Sequence, residues 1–273
     1  MADDLVTVRR ILRVSAAGTS AIEDTLAVER ALEIRVDGQP LAVTLRTPGH
    51  DRELALGFLA AESVVRSLAD VRDLVEHPAA CSDEPDGIEV TLTPGTPVDW
   101  ARLERHFAAT SACGLCGRAH LESLRAGLAP VDSAFRVAAG TLLAWPERLR
   151  LEQRAFARTG GLHAAAYAGS DLVPELLRED VGRHNAVDKV GGALLAQGRY
   201  PVQAGVLWVS GRAGAEIVLK AARAGIPVLA AVGAPSSLAV ELAEAARMTL
   251  IGFMREGRMN VYTGAERLEP ARS

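Results

Sequence analysis

Gly205-Val-Leu-Trp-Val-Ser-Gly-Arg-Ala-Gly-Ala-Glu-Ile-Val-Leu-Lys-Ala-Ala-Arg-Ala-Gly-Ile-Pro-Val-Leu-Ala-Ala-Val232 is the stretch on which the fold class turns. Two short apolar runs, Gly205 to Val209 and Pro227 to Val232, are strand-like, and Glu216 to Ala224 between them is helix-like. The alternation continues outward in both directions. Downstream, helix-like Ser236 to Met248 leads into strand-like Thr249 to Met254. Upstream, strand-like Leu176 to Val181 leads into helix-like Asn185 to Ala196. Strands and helices in alternation imply βαβ units and a sheet with helices on its faces, which is an α/β fold.

Toward the N-terminus the texture differs. The first dozen residues lack a clear period. Leu32, Ile34 and Val36 then alternate, Asp37-Gly38 turns, and Leu41, Val43 and Leu45 alternate again, the pattern of a β-hairpin. Asp51 to Val65 sets Leu54, Phe58, Leu59 and Ala61 on one helical face. Ala79 to Pro97 is turn-rich around one short strand, Ile88 to Leu92, and a helix over Asp99 to Ala109 leads to Ser111-Ala-Cys-Gly-Leu-Cys-Gly117. A short helical pattern follows through His120, Leu121 and Leu124. After Pro130 comes a long amphipathic run, Gly140 to Arg158, and then Thr159-Gly-Gly-Leu-His163. We therefore expect a smaller N-terminal α+β part over 1–130 and an α/β domain over 131–273.

The chain has 273 residues, 49% apolar and 23% charged, with 30 Lys+Arg against 34 Asp+Glu and a net charge of -4. A balance of this sign argues against nucleic acid as a partner. The longest stretch without a formal charge, 224–240, is 17 residues long and holds Pro227 and Pro235, short of a membrane span. Met1-Ala-Asp-Asp is acidic where a secretory signal is basic, so the expected location is the cytoplasm. Three cysteines, Cys81, Cys113 and Cys116, do not make a disulfide framework.

Cys113-Gly-Leu-Cys116 is the sharpest local feature. Two thiols three positions apart can share a metal, close a disulfide, pass a sulfur atom between them, or be incidental, and the spacing alone leaves these open. No second Cys pair or His pair stands at a matching distance, so no zinc site is expected. Gly114 and Gly117 flank the thiols, and Arg118 favours a thiolate. Glu179-Asp-Val-Gly-Arg-His-Asn-Ala-Val-Asp-Lys189 crowds polar groups, including Arg183 and His184, at a strand-to-helix passage. Its plain alternative is a helix cap with a solvated charged face. Ser210-Gly-Arg-Ala-Gly214 is a small-residue turn able to offer N–H groups and Arg212 to a phosphate. Phe253-Met-Arg-Glu-Gly-Arg258 is a turn between strands whose Arg255 and Arg258 can grip a pyrophosphate. His163 is by default a core or hydrogen-bonded histidine. The zinc deaminase signature is not met, since His163-Ala-Ala lacks the glutamate and the Cys pair precedes the histidine.

Taken in order, Thr47-Pro48, Gly57-Phe58-Leu59, Cys-Gly-Leu-Cys-Gly117, Gly-Gly-Leu-His163, Glu179 to Lys189, Ser210-Gly-Arg, Ala224-Gly-Ile-Pro-Val, Ala234-Pro-Ser-Ser-Leu-Ala-Val, Gly252-Phe and Asn260-Val-Tyr-Thr resemble the formate dehydrogenase accessory sulfurtransferase family, the FdhD proteins. Gly214 and Gly233 depart from the resemblance, standing where serine is common. The resemblance implies a cytidine-deaminase-like α/β sandwich preceded by a smaller N-terminal part, and a homodimer. It implies a sulfur carrier that takes persulfide sulfur from a cysteine desulfurase and delivers it to the molybdenum of bis(molybdopterin guanine dinucleotide) for formate dehydrogenase. Cys113 would bear the persulfide with Cys116 as its partner. Phe253, Met254, Arg255, Glu256, Gly257 and Arg258 would bind the cofactor, for which GDP is a mimic, with Arg212, Arg183 and His184 nearby. The competing readings are a chaperone that only holds the cofactor, and a Cys-x-x-Cys thiol redox enzyme.

Overall fold

The computed structural model describes residues 5–81, 84–101, 103 and 128–269. Cys113, Cys116, Gly114, Gly117 and Arg118, and with them 102 and 104–109 of the helix expected from Asp99 to Ala109, lie outside the described residues.

A ribbon comes first among the described residues, β1 (Val6–Ser15) and β2 (Gly18–Ala27), paired antiparallel with each other and, among those residues, with no other strand. Val8, Leu12 and Val14 are exposed, so burial imposes no alternation on these residues, and their strand character left no period in the sequence. The expected hairpin follows as β3 (Arg30–Val36) and β4 (Gln39–Arg46), turning at Asp37 and Gly38, both with positive φ. After α1 (Asp51–Ala61) come β5 (Val71–His77) and β6 (Asp86–Leu92), which complete a four-stranded sheet of order β4-β3-β6-β5. Leu32, Ile34, Val36, Ile88 and Val90 project from this sheet onto Leu54 and Leu59 of α1.

β7 (Val137–Ala138) leads into α2 (Ala139–Leu143), α3 (Trp145–Glu152) and α4 (Arg154–Thr159). The single amphipathic run expected over Gly140 to Arg158 is thus three short helices, with Pro146 in the first turn of α3 and a break at Gln153. Then come β8 (His163–Ala168), β9 (Pro174–Asp180), α5 (Arg183–Ala196), β10 (Val206–Val209), α6 (Ala215–Arg223), β11 (Val228–Ala231), α7 (Ser237–Ala245), β12 (Thr249–Arg255) and β13 (Arg258–Thr263). Near the end, β14 (Leu268–Glu269) pairs with β7. Six strands form one sheet of order β13-β12-β11-β10-β8-β9, in which β10, β11 and β12 are parallel and β8, β9 and β13 antiparallel to their neighbours.

Leu207, Val209, Leu229 and Leu250 face α5, α6 and α7. Trp208, Val228, Ala230 and Ile251 face Leu142, Trp145 and Leu149 on the opposite side. Helices cover both faces, as the alternation of apolar runs required. Among the described residues no helix is long and apolar enough to cross a membrane.

The two sheets share α5. Its Val190 and Leu194 belong to the core of the large sheet, while Leu195 reaches into the core of the small one. The helix is buried along most of its length, consistent with apolar residues on more than one face. It crosses α1 at two glycines. A Cβ on Gly57 would overlap the Asp188 carbonyl, and a Cβ on Gly192 would overlap the Glu53 carbonyl. The backbones touch because neither position carries a side chain. Arg178 of β9 adds a tie to α1, with Nε donating to Glu53 at 2.5 Å. Burial pushes the Glu53 carboxyl up, but hydrogen bonds from Arg178 and His50 outweigh it and hold it at about 2.

At the crossing itself, Asp188 is fully enclosed and accepts from Lys220 Nζ at 2.6 and 2.7 Å. Burial pushes its carboxyl up to about 6 despite the ammonium group. Between about pH 4 and pH 6 the folded state therefore binds a proton at Asp188 that the unfolded chain has already released.

Two outcomes follow from the crossing. Gly57→Ala and Gly192→Ala each lose about 1–3 kcal/mol or more of stability in urea unfolding, because backbone must move to admit a methyl group. Gly140→Ala, where a Cβ meets open space, stays within experimental error of the parent or gains slightly; equal stability of all three variants would refute the close packing. For Asp188 the folded value lies above the unfolded one, so its contribution is fully present at low pH and is lost as pH rises toward 6. The stability difference between the parent and Asp188→Asn should shift against the parent by on the order of 3 kcal/mol from about pH 4 to pH 7. A flat difference across that range would contradict the burial argument.

Candidate functional site

The polar segment Glu179 to Lys189 is a buried knot, and the plain alternative of a solvated face is not what the fold contains. Asp180 and Lys189 are enclosed and paired at 2.7 Å. Asp180 Oδ2 accepts from the Thr47 amide at 3.2 Å, and Oδ1 accepts from the Gly182 amide at 2.8 Å and from Asn185 Nδ2 at 3.1 Å. Asn185 Nδ2 also donates to the Leu45 carbonyl, and Lys189 Nζ donates to the Thr47 carbonyl. The end of β4 is thereby fastened to the passage from β9 to α5. Glu179 points the other way and accepts from the Ala155 and Phe156 amides at 3.0 and 2.7 Å, capping α4. Buried polar groups that all find partners specify one geometry. Arg183 and His184 then emerge as the first turn of α5, Arg183 exposed and His184 half-buried.

From there the carboxyl ends of β9, β10, β11 and β12, with the amino end of β8, form a row of linked loops. His163 pairs in register with Asp180. The Ser210 amide donates to the Ala164 carbonyl, and the Ala164 amide donates back to Ser210 Oγ. The Gly233 amide donates to the Gly211 carbonyl at 2.9 Å, and the Phe253 amide donates to the Gly233 carbonyl at 3.1 Å. Close approach is the common feature. A Cβ on Gly211 would sit 3.4 Å from the His163 ring, one on Gly233 would press on Gly211 and Arg212, and one on Gly252 would meet Pro235 at 2.8 Å. The sequence singled out Ser210-Gly-Arg as a turn, but its seam with Gly233 and Gly252 needed the strand order.

The predicted binding residues fall along this row. Arg183, His184 and His163 stand at its β9 end, Arg212 on the loop after β10, and Phe253 to Arg258 at its β12 end. Four strand spacings separate β9 from β12, about 19 Å. The Arg183–His184 corner and the hairpin are thus two ends of one edge, with Arg212 between them. Glu256 and Gly257 both have positive φ and form a two-residue turn that sets Arg255 opposite Arg258. Arg255 lies 5.9 Å over the Phe253 ring, and Arg258 pairs with Glu256 at 2.9 Å. Met254 turns the other way, into the core with Trp145 and Leu149, so it supports the strand and is not exposed to a ligand.

Positive charge dominates this edge. Arg183, Arg212, Arg255 and Arg258 are exposed along one edge of a chain whose net charge is -4. Among the described residues only Arg258 of these four has a carboxylate within ion-pair distance. Burial, then the Arg183 charge, push His163 down, with Asp180 opposing. Burial also leads for His184, joined by Arg183, Lys220 and His163 and opposed by Glu216, whose Oε2 lies 3.4 Å from Nε2. Two neutral imidazoles beside uncompensated guanidinium groups are suited to a ligand carrying phosphates and hydrogen-bonding edges. Gly214 has open space around its Cα, so a serine would fit there, whereas Gly233 is hemmed in by Gly211 and Arg212. Cys81 is exposed, and Cys113 and Cys116 lie outside the described residues.

Comparison with known proteins finds relatives over nearly the whole chain. The chain is 49% identical over 268 residues to the sulfur carrier protein FdhD of Mycobacterium tuberculosis, covering 95% of this chain and 97% of that one. It is 47% identical over 266 residues to the protein of the same name from Streptomyces coelicolor, covering 95% and 94%. The crystal structure of a proposed formate dehydrogenase accessory protein from Desulfotalea psychrophila superposes with a TM-score of 0.77 at 22% identity, over 97% of this chain and 100% of that one, and so shares the fold. With the FdhD/NarQ family model matching residues 27–269, the chain belongs to the FdhD/NarQ family.

Proposed function

We propose that this protein is a sulfur carrier that takes persulfide sulfur from a cysteine desulfurase and delivers it to the molybdenum of bis(molybdopterin guanine dinucleotide), in support of a formate dehydrogenase. The observation that carries the reading is the edge of exposed arginines, of which Arg183, Arg212 and Arg255 have no carboxylate partner among the described residues, in a chain whose close relatives are named sulfur carriers. Cys113 and Cys116 are the thiols of this chemistry. The Cys113 thiolate attacks the terminal sulfur of the donor's persulfide, a Cys113 persulfide forms, and the donor leaves as a thiolate. Attack by Cys116 on Cys113 Sγ then closes a disulfide and releases the sulfur as hydrosulfide to the metal centre, and a cellular thiol reductant restores the pair. The arginine edge holds the cofactor by its pyrophosphates, because a guanidinium fork matches phosphate oxygens bidentately. Arg255 and Arg258 grip one nucleotide end, while Arg212 and the Arg183–His184 corner lie further along the same cofactor.

Incubation with a cysteine desulfurase and cysteine, followed by intact-mass measurement, should show one added sulfur that reductant removes. Cys113→Ala should abolish this gain and Cys81→Ala should leave it intact. Full loading of Cys113→Ala would refute the persulfide role, and no loading of the parent chain would favour a chaperone that only holds the cofactor. In calorimetry, GDP should bind the parent, and Arg255→Glu and Arg258→Glu should each lose about 1.5–3 kcal/mol, roughly ten- to hundredfold in affinity. Arg255→Glu is the cleaner variant, since Arg258 already shares its charge with Glu256 in an exposed pair. Sulfur loading should survive both changes. Unchanged GDP affinity in both would move the nucleotide away from the hairpin.

A further inference from the structure

The β1–β2 ribbon contributes no residue to the buried clusters of the two sheets. Its strands pair in unbroken register from Val6 opposite Ala27 to Ser15 opposite Gly18. The body of the protein meets the ribbon through β2, against which α4 packs, so β1 is its outer strand. At the base the Val28 amide donates to the Leu5 carbonyl at 2.9 Å, which makes 5 and 28 a hydrogen-bonded pair and fixes the parity of the whole ladder. The odd residues of β1 bond to β2. Val6, Val8, Arg10, Leu12 and Val14 therefore turn their amides and carbonyls outward, and among the described residues no strand receives them.

The side chains of these five residues share one face of the ribbon. Val8, Leu12 and Val14 are 52%, 66% and 73% exposed there, whereas Ile11 and Ile22, opposite each other on the other face, are half-buried. A two-stranded ribbon is marginal in water until a third strand or a packed face covers it. An edge that offers both free backbone groups and apolar side chains is a template for strand addition. Charge selects which strand. β1 carries Arg9, Arg10 and Arg13 and no acidic residue, in a chain whose net charge is -4. Among the described residues none of the three has a carboxylate within ion-pair distance. Pairing of β1 with β1 of a second copy would bring three arginines from each into adjacent strands, and like charges across a ladder destabilise it.

We infer that the outer edge of β1 is a docking site for an extended acidic segment of a partner protein, which joins the ribbon as its third strand. The backbone of that segment bonds to the outward amides and carbonyls of Val8, Arg10 and Leu12. Its apolar side chains extend the face of Val8, Leu12 and Val14, and its carboxylates meet Arg9, Arg10 and Arg13. The arginines repel a basic strand and a second copy of β1, so the charges that guard an open edge against self-pairing also give it selectivity. The docking does not depend on the sulfur chemistry proposed above, since a carrier and a cofactor-holding chaperone alike have to meet a protein client.

The probe is a dye-labelled peptide, Thr-Val-Glu-Val-Asp-Val-Glu-Thr, titrated with the full chain by fluorescence anisotropy beside a counterpart in which lysine replaces each acid. The acidic peptide should bind and the lysine peptide should not. The combined change Arg9→Glu, Arg10→Glu and Arg13→Glu should weaken the acidic peptide roughly ten- to hundredfold and let the lysine peptide bind, a reversal that an unfolded ribbon could not produce. Leu12→Pro removes one outward amide and leaves the β1–β2 ladder whole, so it should weaken the acidic peptide about two- to tenfold. The inference is overturned if the acidic peptide does not bind, or if charge reversal leaves its affinity unchanged. It is overturned equally if the Val8 and Leu12 amides of the peptide-free chain exchange as slowly as that of Ile11, because the edge would then already be covered. A molar mass by light scattering that falls on Leu12→Pro would assign the edge to a second copy and has the same consequence. None of these outcomes bears on GDP binding at the hairpin or on sulfur loading of the parent chain, so this inference and the proposed function fail separately.

Discussion

The contact on which the molecule depends is the crossing of two helix backbones at Gly57 and Gly192. Each glycine admits the carbonyl of the other helix, so α1 and α5 lie closer than any pair with side chains at those positions. Because α5 also lies on the six-stranded sheet, the crossing fixes the small sheet relative to the large one. The buried Asp180–Lys189 knot adds direction to what the crossing does for distance, since it ties Thr47 at the end of β4 to the start of α5. A knot of this kind adds little net stability, but breaking it leaves a buried charge without a partner. Its role is to set where the first turn of α5 begins, and therefore where Arg183 and His184 stand.

The same economy governs the carboxyl edge. Four loops are stitched by backbone hydrogen bonds through Gly211, Gly233 and Phe253, and the small residues there let the loops nest while larger charged ones project. The edge of an open α/β sheet is where ligands of this architecture collect, because helix N-termini and strand ends converge there. Here that general tendency is sharpened by Arg183, Arg212 and Arg255, which no carboxylate neutralises among the described residues. The two glycines standing where serine is usual have unlike meanings. Gly214 sits in open space, so its hydroxyl is simply missing, whereas Gly233 sits under Arg212, so a side chain there would have to push the neighbouring loops apart.

Much of this was legible in the residues. The strand and helix runs from Leu176 to Met254 appear with ends shifted by at most three residues, because parallel buried strands are plain apolar runs and their helices carry a clear period. The hairpin at Asp37-Gly38 was equally plain. The β1–β2 ribbon was not, since strands with little burial leave no alternation to read. β8 was passed over for the opposite reason: His-Ala-Ala-Ala-Tyr-Ala is enclosed on both faces and nearly uniform. Arg183, Arg212, Arg255 and Arg258 could be named individually, but their order along one edge depends on strand pairing, which no local pattern encodes.

The shared helix also has a consequence for how the chain is made. The small sheet and α1 leave the ribosome early, yet the core between them is completed by Leu195, and the glycine contact by Gly192, when more than two thirds of the chain has been synthesised. Until then the apolar side of α1 that will receive α5 has no cover. Vectorial synthesis therefore delivers an N-terminal region that cannot finish its own interior, in contrast to domains that fold as units in order of emergence. The long sequence separation of the contact makes its closure late and slow relative to local hairpins. A nascent chain of this protein is thus exposed to misassociation for most of its translation, and it becomes safe only when its central helix arrives.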